Sequence, residues 1–145
     1  MIRVYVAGRY SADNVMDVAR NIREGRSMGA WLQALGYAPF VPWLDWELAV
    51  IRDLPKESFL EVGLSFLEAC NCILLVPGWE SSNGTHAEIA RANELGIPVF
   101  KTIANLETWA EEREKRDSDG KRFSSWLDSL EESLCVMPEL RSEEV

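Results

Sequence analysis

Val76-Pro77-Gly78-Trp79-Glu80-Ser81-Ser82-Asn83-Gly84-Thr85-His86-Ala87-Glu88 is a mostly small and polar run set between two segments of opposite character. Ahead of it, Cys72-Ile73-Leu74-Leu75-Val76 is almost wholly apolar, as suits a strand buried on both faces of a parallel sheet. Behind it, Ala87 to Leu95 has helix-forming composition and stops at Gly96, just before Pro98. A polar loop that passes from such a strand into a helix leaves unpaired backbone N–H groups at the strand's carboxyl end. Open α/β sheets bind ligands there, and a helix start favours an anion.

The flanking chain repeats this alternation. Ile2 to Ala7 mixes β-branched and aromatic residues and ends at Gly8, which predicts a first strand and a Gly8-Arg9-Tyr10-Ser11 loop. Asp13 or Ser11 is expected to cap the next helix, whose stripe Val15, Val18, Ile22, Gly25, Gly29, Leu32 and Leu35 has helical spacing and ends at Gly36. Tyr37 to Pro42 reads as a second strand, with Pro39 and Pro42 suiting a sheet edge. Pro55 opens a helix with the expected buried face Phe59, Val62, Gly63, Phe66, Leu67 and Cys70. Ile97 to Phe100 is a fourth strand. After Asn105 a charged helix, a turn at Asp117-Ser118-Asp119-Gly120 and a second amphipathic helix carrying Phe123, Trp126, Leu127, Leu130 and Leu134 are expected.

The predicted architecture is α/β: a doubly wound, flavodoxin- or Rossmann-like parallel sheet of about four to five strands with extra C-terminal helices. Residues 1–104 read as that domain, and 105–145 as a helical extension packed on it. Strand order 2-1-3-4 puts the switch point between the first and third strands. Tyr5, Gly8, Arg9, Asp45, Ser81, Gly84 and Glu88 then gather around one crevice, and Trp43 and Trp46 close its side.

Composition narrows the ligand. The chain has 145 residues, 47% of them hydrophobic, and a formal net charge of -9. That charge opposes a broad hold on a nucleic-acid polymer or an anionic membrane and leaves a small ligand in a local pocket open. No apolar run reaches membrane-spanning length, and Met1-Ile2-Arg3-Val4 leads directly into a strand, which suggests a cytoplasmic protein. Three cysteines and the single His86 make a poor zinc set, so neither metal nor cofactor is expected.

Spacing also excludes familiar chemistries. There is no G-x-x-x-x-G-K-[ST] phosphate loop, no G-x-G-x-x-G fingerprint and no G-x-S-x-G serine elbow. What remains is carboxylate chemistry at Glu88, whose ionised form the helix dipole favours and which suits an oxocarbenium-like sugar carbon. A second reading stands beside it: Thr85-His86-Ala87-Glu88 matches the capping box, in which Glu88 only returns a hydrogen bond to the Thr85 backbone.

Val4-Tyr5-Val6-Ala7-Gly8, then Gly36-Tyr37-x-Pro39-Phe40-x-Pro42, then Pro77-Gly78-Trp79-x-Ser81-x-x-Gly84-Thr85-x-x-Glu88-x3-Ala92-x3-Gly96-x-Pro98-Val99 resemble the nucleoside 2-deoxyribosyltransferase superfamily, which includes the 2′-deoxynucleoside 5′-phosphate N-hydrolases. The resemblance covers about the first two thirds of the chain. It implies Glu88 as the nucleophile of a glycosyl-enzyme, Tyr5 as the residue that holds its carboxylate, Gly8 as a point of close backbone approach and Ser81 as a 5′-phosphate contact. Asn71 stands where the family often has Asp. The resemblance assigns no general acid; Asp45, Glu47 and Asp53 are the available carboxylates, and Asp45 is favoured because Trp43 and Trp46 beside it could stack a base. Arg9 could pair with a phosphate, and Asn83 and Gly84 complete the expected substrate loop. A nucleoside or nucleotide partner and a homo-oligomer are what the resemblance implies. A non-catalytic nucleotide-binding or sensor module with the same crevice is the alternative.

Overall fold

The computed structural model describes residues 1–135; the side chains of 44–46, 49, 50, 56 and 130–135 lie outside that description. By contacts the chain divides into two compact units, Met1–Leu106 and Glu107–Val145.

The first unit is built on a four-stranded parallel sheet of β1 (Arg3–Ala7), β2 (Ala38–Phe40), β3 (Cys72–Leu75) and β4 (Val99–Phe100), in the order β2-β1-β3-β4. The central pair β1 and β3 is in register from Val4 opposite Cys72 to Ala7 opposite Leu75, and all eight of these side chains are buried. Their unbroken apolar runs match a sheet covered on both faces. β2 is an edge, where Pro39 is tolerated. Asn71 has a structural task just before β3, since its Oδ1 accepts a 2.9 Å bond from the Arg3 N–H at the start of β1.

The crossovers are helical: α1 (Val15–Ala34), then a short α2 (Trp46–Ile51) with α3 (Lys56–Glu68), then α4 (Asn83–Glu94). Asn14 caps α1, its side chain accepting from the Asp17 N–H, so neither Asp13 nor Ser11 does. The buried face of α1 is Asn21, Gly25, Gly29 and Leu32; Val15 and Leu35, expected on it, stand at the two ends of the helix and are exposed. The absent side chains at two of these positions bring α1 close to the chain after β2. A Cβ at Gly25 would stand 2.4 Å from Trp43, and one at Gly29 2.4 Å from Val41. α1 and α4 end before Gly36 and Gly96, both with positive φ, as helix ends require of the residue that turns the chain back.

On α3 the apolar face is wider than the sheet can cover. Gly63 and Leu67 are buried, whereas Val62 and Phe66 are about half exposed, at 50% and 49%.

After β4, α5 runs unbroken from Ile103 to Cys135, so the turn expected at 117–120 does not form. Gly120 keeps a negative φ, and the Ser118 hydroxyl bonds back to the Lys115 carbonyl at 2.8 Å instead of capping a new helix. One glycine costs a helix only about 1 kcal/mol, which helix-forming flanks on both sides outweigh. No described helix is long and apolar enough to cross a membrane.

Candidate functional site

The site lies at the carboxyl ends of β1 and β3, the neighbours between which the chain's winding reverses. A cavity of about 680 Å³ opens there, within the usual size of a small-molecule site. Tyr5, Gly8, Arg9, Trp43, Ser81, Asn83, Gly84 and Glu88, eight residues expected from the sequence, all line it. Asp45 falls in the 3-10 turn Pro42–Asp45 and Trp46 opens α2, but their side chains are outside the described set. Leu54, Glu57, Phe59 and Leu60, at and before the start of α3, supply a wall that sequence reasoning did not anticipate.

Two helix-start patterns overlap here, Ser82-x-x-Thr85 and Thr85-x-x-Glu88, and the first is used. Ser82 is the cap of α4, its Oγ accepting from the Thr85 N–H at 3.2 Å. The capping-box reading of Glu88 is thereby removed. Thr85 lies inside the helix, and Glu88 Oε1 accepts a 2.7 Å bond from the Tyr5 hydroxyl on the far side of the β1–β3 junction.

Starting α4 at Asn83 also changes the electrostatics. Glu88 falls in the second turn, past the span over which the helix dipole acts strongly. Burial therefore dominates, and it pushes the Glu88 carboxyl up from 4.5 to about 7, against the Tyr5 hydrogen bond that favours the ionised form. The expectation that the helix dipole sets the ionised form is corrected accordingly: burial outweighs it, and near neutral pH the group is poised between its two forms.

Arg9 spans the crevice. Its guanidinium donates to Asn21 Oδ1 on α1 at 3.3 Å and reaches Ser81 Oγ at 3.5 Å, a distance at the limit of hydrogen bonding. Asn21 is almost fully buried and also donates to the Tyr10 carbonyl at 3.2 Å, so it ties Arg9 and the β1 loop to α1. Sequence reasoning missed Asn21. Its signal is a polar residue in helical step with Gly25, Gly29 and Leu32, since a polar side chain on a core face needs partners.

Two polar atoms of the cavity lining are unsatisfied among the described residues. The Thr85 Oγ1 and Arg9 Nε are buried without a hydrogen-bond partner among the described residues, and both residues line the cavity. Such atoms cost stability unless a ligand or solvent meets them. In the sequence Thr85 reads as a helix cap, which hides it as a site residue.

Trp43 closes one side of the crevice. It is buried, its indole N–H donates to the Arg9 carbonyl at 3.2 Å, and its ring lies 3.2 Å from where a Cβ at Gly8 would be. Opposite, the turn Trp79–Ser81 is held from outside the cavity: the His86 Nε2 donates to the Glu80 carbonyl at 2.8 Å, His86 meets the Trp79 ring edge-on, and Lys101 Nζ lies 5.6 Å from that ring's centre. Among the described residues no three His, Cys, Asp or Glu side chains gather as a metal set.

A family model described as a domain of unknown function, DUF4406, matches residues 2–101. No curated protein matches the chain.

Proposed function

The chain belongs to the DUF4406 family, and from its own crevice we propose that it cleaves or transfers the N-glycosidic bond of a deoxynucleoside or a deoxynucleoside 5′-monophosphate. The observation that carries this reading is the Tyr5–Glu88 pair: a carboxyl in a cavity, freed from capping duty and held at one oxygen by a phenol. Ionised Glu88 attacks the anomeric carbon while the carbon–nitrogen bond breaks and its electron pair leaves with the base. The base takes a proton from Asp45 or solvent. Water then attacks the glycosyl ester to release the sugar, or a second base attacks to give a new nucleoside, and Glu88 is regenerated. The Tyr5 hydroxyl orients the carboxylate and favours its ionised form.

Arg9, the orphaned Thr85 hydroxyl and the start of α4 support a ligand bearing an anionic group such as a 5′-phosphate. Trp43 offers an aromatic wall toward the base. The resemblance to the deoxyribosyltransferases agrees with this chemistry.

The test is chromatographic detection of free base after incubation with the deoxynucleosides and their 5′-monophosphates, with and without a second base. Release that disappears in Glu88→Ala supports the reading. Ligand-induced thermal stabilisation with no base released from any of them would replace it with a nucleotide-binding module.

A further inference from the structure

α3 crosses close to Tyr5, and at Gly63, which is buried, an added Cβ would stand 2.8 Å from the Tyr5 hydroxyl oxygen. Gly63 sits within the helix and keeps a negative φ, so no backbone conformation calls for glycine there. Glycine weakens a helix relative to alanine, and what it gains here is the missing methyl group.

The hydroxyl could not yield cheaply to that methyl. The Tyr5 ring is fully buried and stacked on Phe40 at 5.4 Å between centres, and Phe40 is stacked in turn on Phe66 at 4.3 Å. A ring fixed in this way can give ground only by moving its oxygen off Glu88, with which it makes the 2.7 Å bond. Gly63 does not line the cavity, so any influence it has on the carboxylate passes through Tyr5.

Resting on the reading of Glu88 as the reacting carboxylate, we propose that Gly63 is a positioning residue: its lack of a side chain seats the Tyr5 hydroxyl on one oxygen of Glu88 and leaves the other for the sugar carbon. α3 thereby sets the geometry of a bond made between β1 and α4.

The experiment needs no substrate. The Glu88 carboxyl is titrated by carbon-13 NMR in the wild type, Gly63→Ala, Tyr5→Phe and the double variant. Because the Tyr5 bond favours the ionised form, Gly63→Ala and Tyr5→Phe are each expected to move the Glu88 midpoint upward by about one pH unit. The double variant is expected to match Tyr5→Phe, since the methyl group then has no hydroxyl to displace. A midpoint unmoved by Gly63→Ala, or two shifts that add, overturns the proposal. If Gly63→Ala alone does not fold, folding restored by Tyr5→Phe supports it, and no restoration overturns it. Base release measured on the same variants separates the two readings: a shifted midpoint in a protein that releases no base keeps the positioning role and removes the glycosidase.

Discussion

The Tyr5 hydroxyl and the Glu88 carboxylate, 83 positions apart in sequence, are joined by a 2.7 Å hydrogen bond where β1 meets α4. Parallel neighbours β1 and β3 make this possible, because the loop after β3 returns α4 over the end of β1.

Burial raises the Glu88 carboxyl to about 7, so the folded protein holds this proton more tightly than the unfolded chain does. The associated stability is present below about pH 4.5 and is lost as pH rises through about 7. Measured against Glu88→Gln, the wild type should lose roughly 2–3 kcal/mol across that window, allowing for the crevice's open side. Urea titrations at several pH values check this, and a constant difference between the two proteins refutes it. Base release should rise with pH through the same midpoint, since only the ionised form attacks.

Asn21→Ala removes the α1 partner of Arg9 and of the Tyr10 carbonyl. A loss of about 1–3 kcal/mol in stability is expected from the two lost hydrogen bonds. Calorimetry should show binding of a deoxynucleoside 5′-monophosphate weakened about tenfold, with the unphosphorylated deoxynucleoside little affected. Equal weakening of both would detach Arg9 from phosphate recognition.

Thr85→Val keeps the shape of a side chain whose hydroxyl has no partner among the described residues. The unliganded protein should melt at the same temperature or higher, because a buried orphan is removed. Its stabilisation by nucleotide should shrink. Unliganded destabilisation by more than about 1 kcal/mol would mean that the hydroxyl is already satisfied.

Gly25→Ala should destabilise by about 1–3 kcal/mol despite the better helix propensity of alanine, since its methyl group would overlap Trp43. In a Trp43→Leu background the same change should cost less. Denaturant midpoints of the four proteins give the coupling directly, and strict additivity would show that the overlap is relieved elsewhere.

The alternation of apolar strands and helices was enough to order the sheet, because Cys72–Val76 and Ile2–Ala7 can be satisfied only at its centre. Helix starts were less legible. Ser82, Thr85, Ser11, Asp13 and Asn14 all have capping chemistry, and which one caps depends on where the rest of the helix must point. The place of Glu88 on the crevice was legible, yet its protonation was not, since burial is a property of the assembled crevice. Thr85 escaped for a related reason, since nothing local marks its hydroxyl as buried, whereas Asn21 carried a signal in its helical step with Gly25, Gly29 and Leu32. At 117–120 the helical flanks prevail over the turn-forming residues.

The close fit of Trp43 against α1 has a consequence for inheritance. Any side chain larger than hydrogen at position 25 carries a stability cost while an indole occupies position 43, since a Cβ would stand 2.4 Å from that ring. The two sites are therefore expected to change together: a lineage that shrinks the ring at 43 is released from glycine at 25, and one that enlarges 25 first must cross a less stable ancestor. A correlated glycine–tryptophan pair would be the record of this crevice wall in descendant sequences.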